Sequence, residues 1–171
     1  MVSQRRRTII FSGFGMASLL VAGCATGPGA AILNSGSRIW RGRLAVRVDA
    51  DKNDRLGSSV TAGFELTGNA TEGGLTLYTP IGGTAAVLTW STKQASLLSQ
   101  SKVRYFSSLQ VLIGEVVGTN IPVDALFAWL NGTDASAEGW TADVTDFING
   151  RISAKRTEPS PAAELRIVLE K

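Results

Sequence analysis

The sequence contains no histidine and a single cysteine, Cys24. The missing histidine removes Ser-His-Asp and Cys-His nucleophilic catalysis, and the two shortages together leave no His or Cys set for a zinc site. A lone cysteine cannot close a disulfide within the chain. No apolar run reaches the roughly 20 residues that a membrane-spanning helix needs. Glycine-rich phosphate loops are missing too, because Gly73-Gly74 and Gly82-Gly83 lie between predicted strands and not ahead of helices. The acids fall mostly in predicted turns (Asp49, Asp51, Asp54, Asp134, Asp143, Asp146), where solvation accounts for them. Ser-Lys neighbours exist at Ser101/Lys102 and Ser153/Lys155, with no spacing that recommends them as a dyad. A carboxylate or Ser-Lys hydrolase stays open only as a minor reading. The expectation is a non-enzyme without cofactor or metal.

The N-terminus is an address. Arg5, Arg6 and Arg7 form a basic stretch, residues 8–21 an apolar one, and Ala22, Gly23 and Cys24 follow, which is the layout of a secretory signal. Leu20-Val21-Ala22-Gly23-Cys24 further resembles a bacterial lipobox, in which the cysteine thiol is diacylated and becomes the first mature residue. Three acyl chains, as bacterial lipoproteins usually carry, exceed the two signals that stable anchoring takes. Residues 1–23 are thus read as a lipoprotein signal peptide and Cys24 as the lipidation site. Ala25 stands where Asp signals inner-membrane retention in enterobacterial sorting, so the expected location is the periplasmic face of the outer membrane. Three of the 17 Lys and Arg residues leave with the signal, so 14 basic side chains face 14 acidic ones in the mature chain. That balance gives no reason to expect nucleic acid as a partner.

Residues 24–38, rich in Gly, Ala and Ser, read as a flexible tether. The remaining 39–171 form one domain by length. Alternation predicts strands over 40–49, 58–66, 75–79 and 84–90, with weaker strands at 94–99 and 102–106. In the hairpin of strands three and four, Pro80 suits the second turn position, Ile81 the third and Gly82 the fourth. A bulky apolar residue at such a tip is unusual, since Asn, Asp, Ser and Gly normally occupy it. The period then changes. Leu109, Leu112, Ile113, Val116 and Val117 share one helical face, with Ser107 or Ser108 as N-cap, and Pro122 opens a second helix to Leu130 whose apolar face is Leu126, Trp129 and Leu130. Closing strands are expected at 140–144, 151–155 and 165–170. The fold class is mainly β: an unclosed antiparallel barrel or curved sheet, capped by two short helices.

Four segments of this pattern resemble the LolB family of outer-membrane lipoprotein receptors. They are the lipobox; Trp40 with Gly42-Arg43-Leu44-Ala45-Val46; Leu77-Tyr78-Thr79-Pro80-Ile81-Gly82-Gly83-Thr84; and Val117-Gly118-Thr119-Asn120-Ile121-Pro122-Val123 continuing to Leu126, Trp129, Leu130, Asn131 and Gly132. Gly139-Trp140 adds a weaker fifth. The family fold is an unclosed barrel around an apolar cavity for acyl chains. Its members accept lipoproteins from the periplasmic carrier LolA and insert them into the outer membrane, using an exposed Leu in a Pro-Leu-Gly loop. Pro80, Ile81 and Gly82 hold that place here.

The resemblance implies, as partners, a LolA-like carrier, lipoprotein acyl chains and outer-membrane lipid. Composition alone does not separate a cavity from a solid core. If a cavity exists, its expected lining from the sheet is Leu44, Val46, Phe64, Leu75, Leu77, Leu88 and Trp90. The helices are expected to add Leu109, Leu112, Val116, Leu126 and Trp129. The alternative is a scaffold lipoprotein that binds an envelope protein and packs Ile81 inward.

Overall fold

Period-two alternation makes the strands. In β1 (Ile39–Val48) Trp40, Val46 and Val48 are buried while Arg41, Arg43 and Arg47 are exposed, so one face turns to the core and the other to water. β2 (Ser58–Gly68), β3 (Gly73–Tyr78), β4 (Thr84–Trp90), β5 (Ala95–Ser99) and β6 (Lys102–Phe106) follow as a meander. β7 (Trp140–Asp143), β8 (Arg151–Arg156) and β9 (Ala163–Leu169) complete a nine-stranded sheet in the order β6-β5-β4-β3-β2-β1-β9-β8-β7. Every neighbouring pair is antiparallel. The structure is a computed structural model that describes residues 38–50, 56–137 and 139–171. The expected signal peptide, Cys24 and the expected tether as far as residue 37 lie outside the described residues, while Arg38 at the tether's end is described.

The sheet is unclosed, since among the described residues β6 and β7 are its two edges. The expected strands recur with shifted ends. β2 and β3 each run two residues further at their common turn, giving the pairs Thr67↔Gly74 and Gly68↔Gly73. A short 3-10 helix (Phe147–Asn149) before β8 has no counterpart in the sequence reading.

The helices are α1 (Leu109–Val117) and α2 (Val123–Leu130). The Ser108 hydroxyl accepts from the Val111 amide at 3.2 Å and caps α1, which settles the choice between Ser107 and Ser108. Gly118 ends α1 in the left-handed conformation, its N–H donating to the Gly114 carbonyl at 3.0 Å. Pro122 takes the N-cap position of α2.

Four tryptophans weld the helical segment to the sheet. Each is buried and each indole N–H donates to a backbone carbonyl: Trp40 to Leu130 (2.9 Å), Trp90 to Asn69 (2.9 Å), Trp129 to Ala135 (3.0 Å) and Trp140 to Asn120 (2.9 Å). Burying so large a ring is favourable only when its N–H finds an acceptor. Phe127 sits 5.7 Å from Trp40 and 6.4 Å from Trp90, ring centre to ring centre. The Arg38 guanidinium also bonds the Asn131 side chain, so the start of β1 and the end of α2 are held together twice.

Candidate functional site

The inward side chains of the sheet form rows across the strands. One row runs Leu66, Leu75, Leu88, Leu97 and Arg104, and the next Phe64, Leu77, Ala86 and Ser99. Both rows line a single cavity of about 300 Å³, closed over by α1 and α2 and reached also by Leu44, Val46, Leu165 and Ile167 from β1 and β9. That volume stands at the lower end of the roughly 300–1,000 Å³ typical of small-molecule sites. Among the described residues Ser99 and Arg104 are its polar lining, and Arg104 pairs across the rim with Glu115 of α1 at 3.5 Å. Both partners are more than half exposed, so this ion pair contributes little to stability.

The cavity has a closed end and an open one. At the closed end Trp90 lies over Gly73, where any Cβ would stand 2.5 Å from the indole, and Phe127 fills the space toward Trp40. At the open end the lining residues are themselves exposed: Val60 at the start of β2 and Val116 near the end of α1. The Ser58 hydroxyl donates to the Val117 carbonyl at 3.2 Å, which fixes the end of α1 beside that stretch of β2. Leu77 and Ala86, the pair two residues inside the β3–β4 turn, complete the mouth.

The turn itself projects beyond them. The Gly82 amide donates to the Thr79 carbonyl at 2.9 Å, so Pro80 and Ile81 are the two central residues. Gly82 follows at φ +87°, the Thr79 amide closes the loop on the Gly83 carbonyl at 2.8 Å, and the Thr79 hydroxyl accepts from the Gly83 amide at 3.1 Å. This is a three-residue hairpin loop with a left-handed closing glycine. Three hydrogen bonds close the loop, and the Ile81 side chain at its tip is 94 % exposed.

Of the twelve lining candidates, Leu44, Val46, Phe64, Leu75, Leu77, Leu88, Trp90, Leu109, Leu112, Val116 and Leu126 face the cavity. Trp129 does not. It is fully buried on the other flank of α2, 6.2 Å from the Trp140 ring, with its N–H on Ala135. A single apolar stripe misplaces it because α2 is buried on two sides, as its nearly unbroken apolar sequence VDALFAWL signals. The same oversight hides Phe127, which lines the cavity's closed end. Val60, Leu97 and Ile167 are further lining residues that alternation alone could have supplied, and Ile121 reaches the cavity from the connection between the two helices.

Arg104 and its partner Glu115 stand at the cavity rim, and the carboxyls with displaced titration lie away from it. Hydrogen bonds from the Thr145 hydroxyl and amide hold the Asp143 carboxyl below its ordinary range, and those from Asn149 and Arg151 do the same for Asp146. Both belong to the β7–β8 connection. Among the described residues no three or more Asp, Glu, His or Cys side chains group as a metal site.

A protein-family model described as "Outer membrane lipoprotein LolB" matches residues 39–160. A curated relative, "Outer-membrane lipoprotein LolB" of Shewanella loihica (strain ATCC BAA-1088 / PV-4), is 30% identical over 125 residues, which cover 68% of this chain and 55% of the relative. The chain thus spans about half the length of the curated relative it matches. With the match running from β1 through both helices to β8, the chain belongs to the LolB family of outer-membrane lipoproteins.

Proposed function

We propose that this chain is an outer-membrane lipoprotein receptor, anchored through acylated Cys24 on the periplasmic face, that accepts lipoproteins from a LolA-like carrier and inserts them into the outer membrane. The observation that carries this reading is the juxtaposition of an apolar cavity, open at one end, with a hydrogen-bonded turn at that end presenting Ile81 to solvent. Acyl chains enter at the mouth beside Val60 and Val116 and lie against the two inward rows. Transfer proceeds without covalent chemistry, driven by the difference in affinity between carrier, cavity and bilayer.

Ile81 acts at the last step. Burying one such side chain in lipid contributes roughly 1.5–3 kcal/mol, too little to anchor a protein but enough to hold the mouth against the membrane. Isoleucine keeps the volume and apolarity of the leucine that the family pattern places there.

In a carrier-to-vesicle transfer assay, Ile81→Glu should accept cargo from the carrier and fail to insert it. Normal insertion by that variant would refute the role of the tip. Failure of the parent chain to take up a fluorescent fatty-acyl probe would refute the cavity's role and return the protein to a scaffold function.

A further inference from the structure

Ile81 is matched by one other large apolar side chain: Leu56, 95 % exposed, stands in the β1–β2 connection. Among the described residues the next most exposed of this kind is Ile148, at 79 %. Topology places the two connections at one end of the sheet. β1 ends at Val48 opposite Ser58, β3 ends at Tyr78 opposite Thr84, and β5 ends at Ser99 opposite Lys102. In an antiparallel meander these three connections leave the same end of the sheet, and that end carries the cavity mouth. The pair Gly63↔Tyr78 shows that β2 extends five residues past the end of β3, down to Ser58. Strands of a barrel tilt by roughly 35–45°, and a stagger along the ladder is what brings successive loops level around a mouth.

The residue after Leu56 runs close against the end of β1. Gly57 passes so close to the outgoing strand that a Cβ there would stand 2.9 Å from the Val48 carbonyl oxygen and 3.1 Å from the Ala50 nitrogen. Only a glycine fits at this neck, and the side chain just before it projects into solvent.

Resting on the receptor reading above, we infer that Leu56 is a second membrane-contacting residue, which with Ile81 fixes how the cavity mouth meets the bilayer. One inserted side chain is a pivot; two on separate connections define a line and remove one rotation. The mouth, bounded by Val60 of the Leu56 arm and by Leu77 and Ala86 of the Ile81 arm, lies between them.

The test uses the full lipidated chain in vesicles of phosphatidylethanolamine and phosphatidylglycerol. Leu56→Cys, Ile81→Cys and, at the opposite end, Lys93→Cys are labelled with an environment-sensitive dye, the parent chain serving as the labelling blank because its only thiol is Cys24. Dye at 56 and 81 should be blue-shifted, shielded from aqueous iodide and quenched by lipid-borne nitroxide, while dye at 93 stays in water. Leu56→Glu, at so exposed a position, should leave thermal stability unchanged and slow cargo delivery roughly tenfold, the loss expected when one buried aliphatic side chain is withdrawn from lipid. Dye at 56 that behaves like dye at 93 while dye at 81 is embedded overturns the inference and spares the receptor reading. Both dyes in water overturn the two together. If Leu56→Glu slows acceptance from the carrier and its dye stays in water, the residue belongs to a protein interface and the inference fails.

Discussion

The two ends of the cavity are built from different materials. At the closed end aromatic rings interlock: Trp40, Trp90 and Phe127 touch edge to face or tilted, and the indoles of Trp40 and Trp90 are tied to backbone carbonyls. At the mouth the lining is aliphatic and partly exposed, Val60 and Val116 foremost, and the ties are one hydroxyl bond and one exposed ion pair. Stability resides at the first end and accessibility at the second. The two helices divide the same way. α2 is clamped between Trp40 and Trp90 on one side and Trp140 of β7 on the other, whereas the C-terminal turn of α1 borders an opening. A binding site for an apolar guest needs this asymmetry, because the water-excluding packing that makes a core would, if continued to the mouth, leave nothing to fill.

Substitutions at the two ends should therefore separate stability from uptake. Phe127→Ala, which empties the space between two tryptophans, is expected to cost about 3–5 kcal/mol and to lower the melting temperature sharply. Trp129→Phe strands the Ala135 carbonyl and should cost about 1–3 kcal/mol, measured by denaturant unfolding, with acyl-probe uptake unchanged. Lost uptake in a folded Trp129→Phe protein would contradict its placement outside the cavity. Val116→Lys adds a cation near the C-terminus of α1, where the helix dipole favours it. Its stability should stay within about 0.5 kcal/mol of the parent while probe uptake falls, because acyl chains then cross a charge at the mouth. Uptake at the parent level in Val116→Lys would move the mouth elsewhere. Ile81→Glu alters neither stability nor uptake on this view, and only delivery.

Much of the fold was legible because strand alternation is a local signal. Leu44, Val46 and Val48 in β1, or Val60, Ala62, Phe64 and Leu66 in β2, announce their inner face within a few residues. The hairpin tip was legible for the same reason, since Pro80 and Gly82 restrict the backbone around Ile81. The pairing of β1 with β9 was not, because Val46↔Leu165 joins residues more than a hundred positions apart and nothing local encodes it. The extra residue Ala85, which shifts the β3–β4 register between Leu77 and Tyr78, leaves no mark in an alternating run. Trp129 and Phe127 are hard to place for a third reason: a helix wedged between two packing surfaces has no single apolar stripe to read. Cavity and solid core look alike in sequence, because both are lined by the same aliphatic residues and differ only in how far the opposite walls stand apart.

The unclosed sheet has a consequence for what the interior can hold. In a closed barrel, strand number and shear fix the circumference through a continuous ring of backbone hydrogen bonds. Here that ring is interrupted at the seam between β6 and β7, and no ladder crosses it among the described residues. The girth of the interior is then set by side chains, by how the helices wedge between the sheet walls, and not by the peptide backbone. Capacity in such a vessel is an adjustable quantity, and a guest that swells it works against van der Waals contacts instead of breaking a hydrogen-bonded hoop.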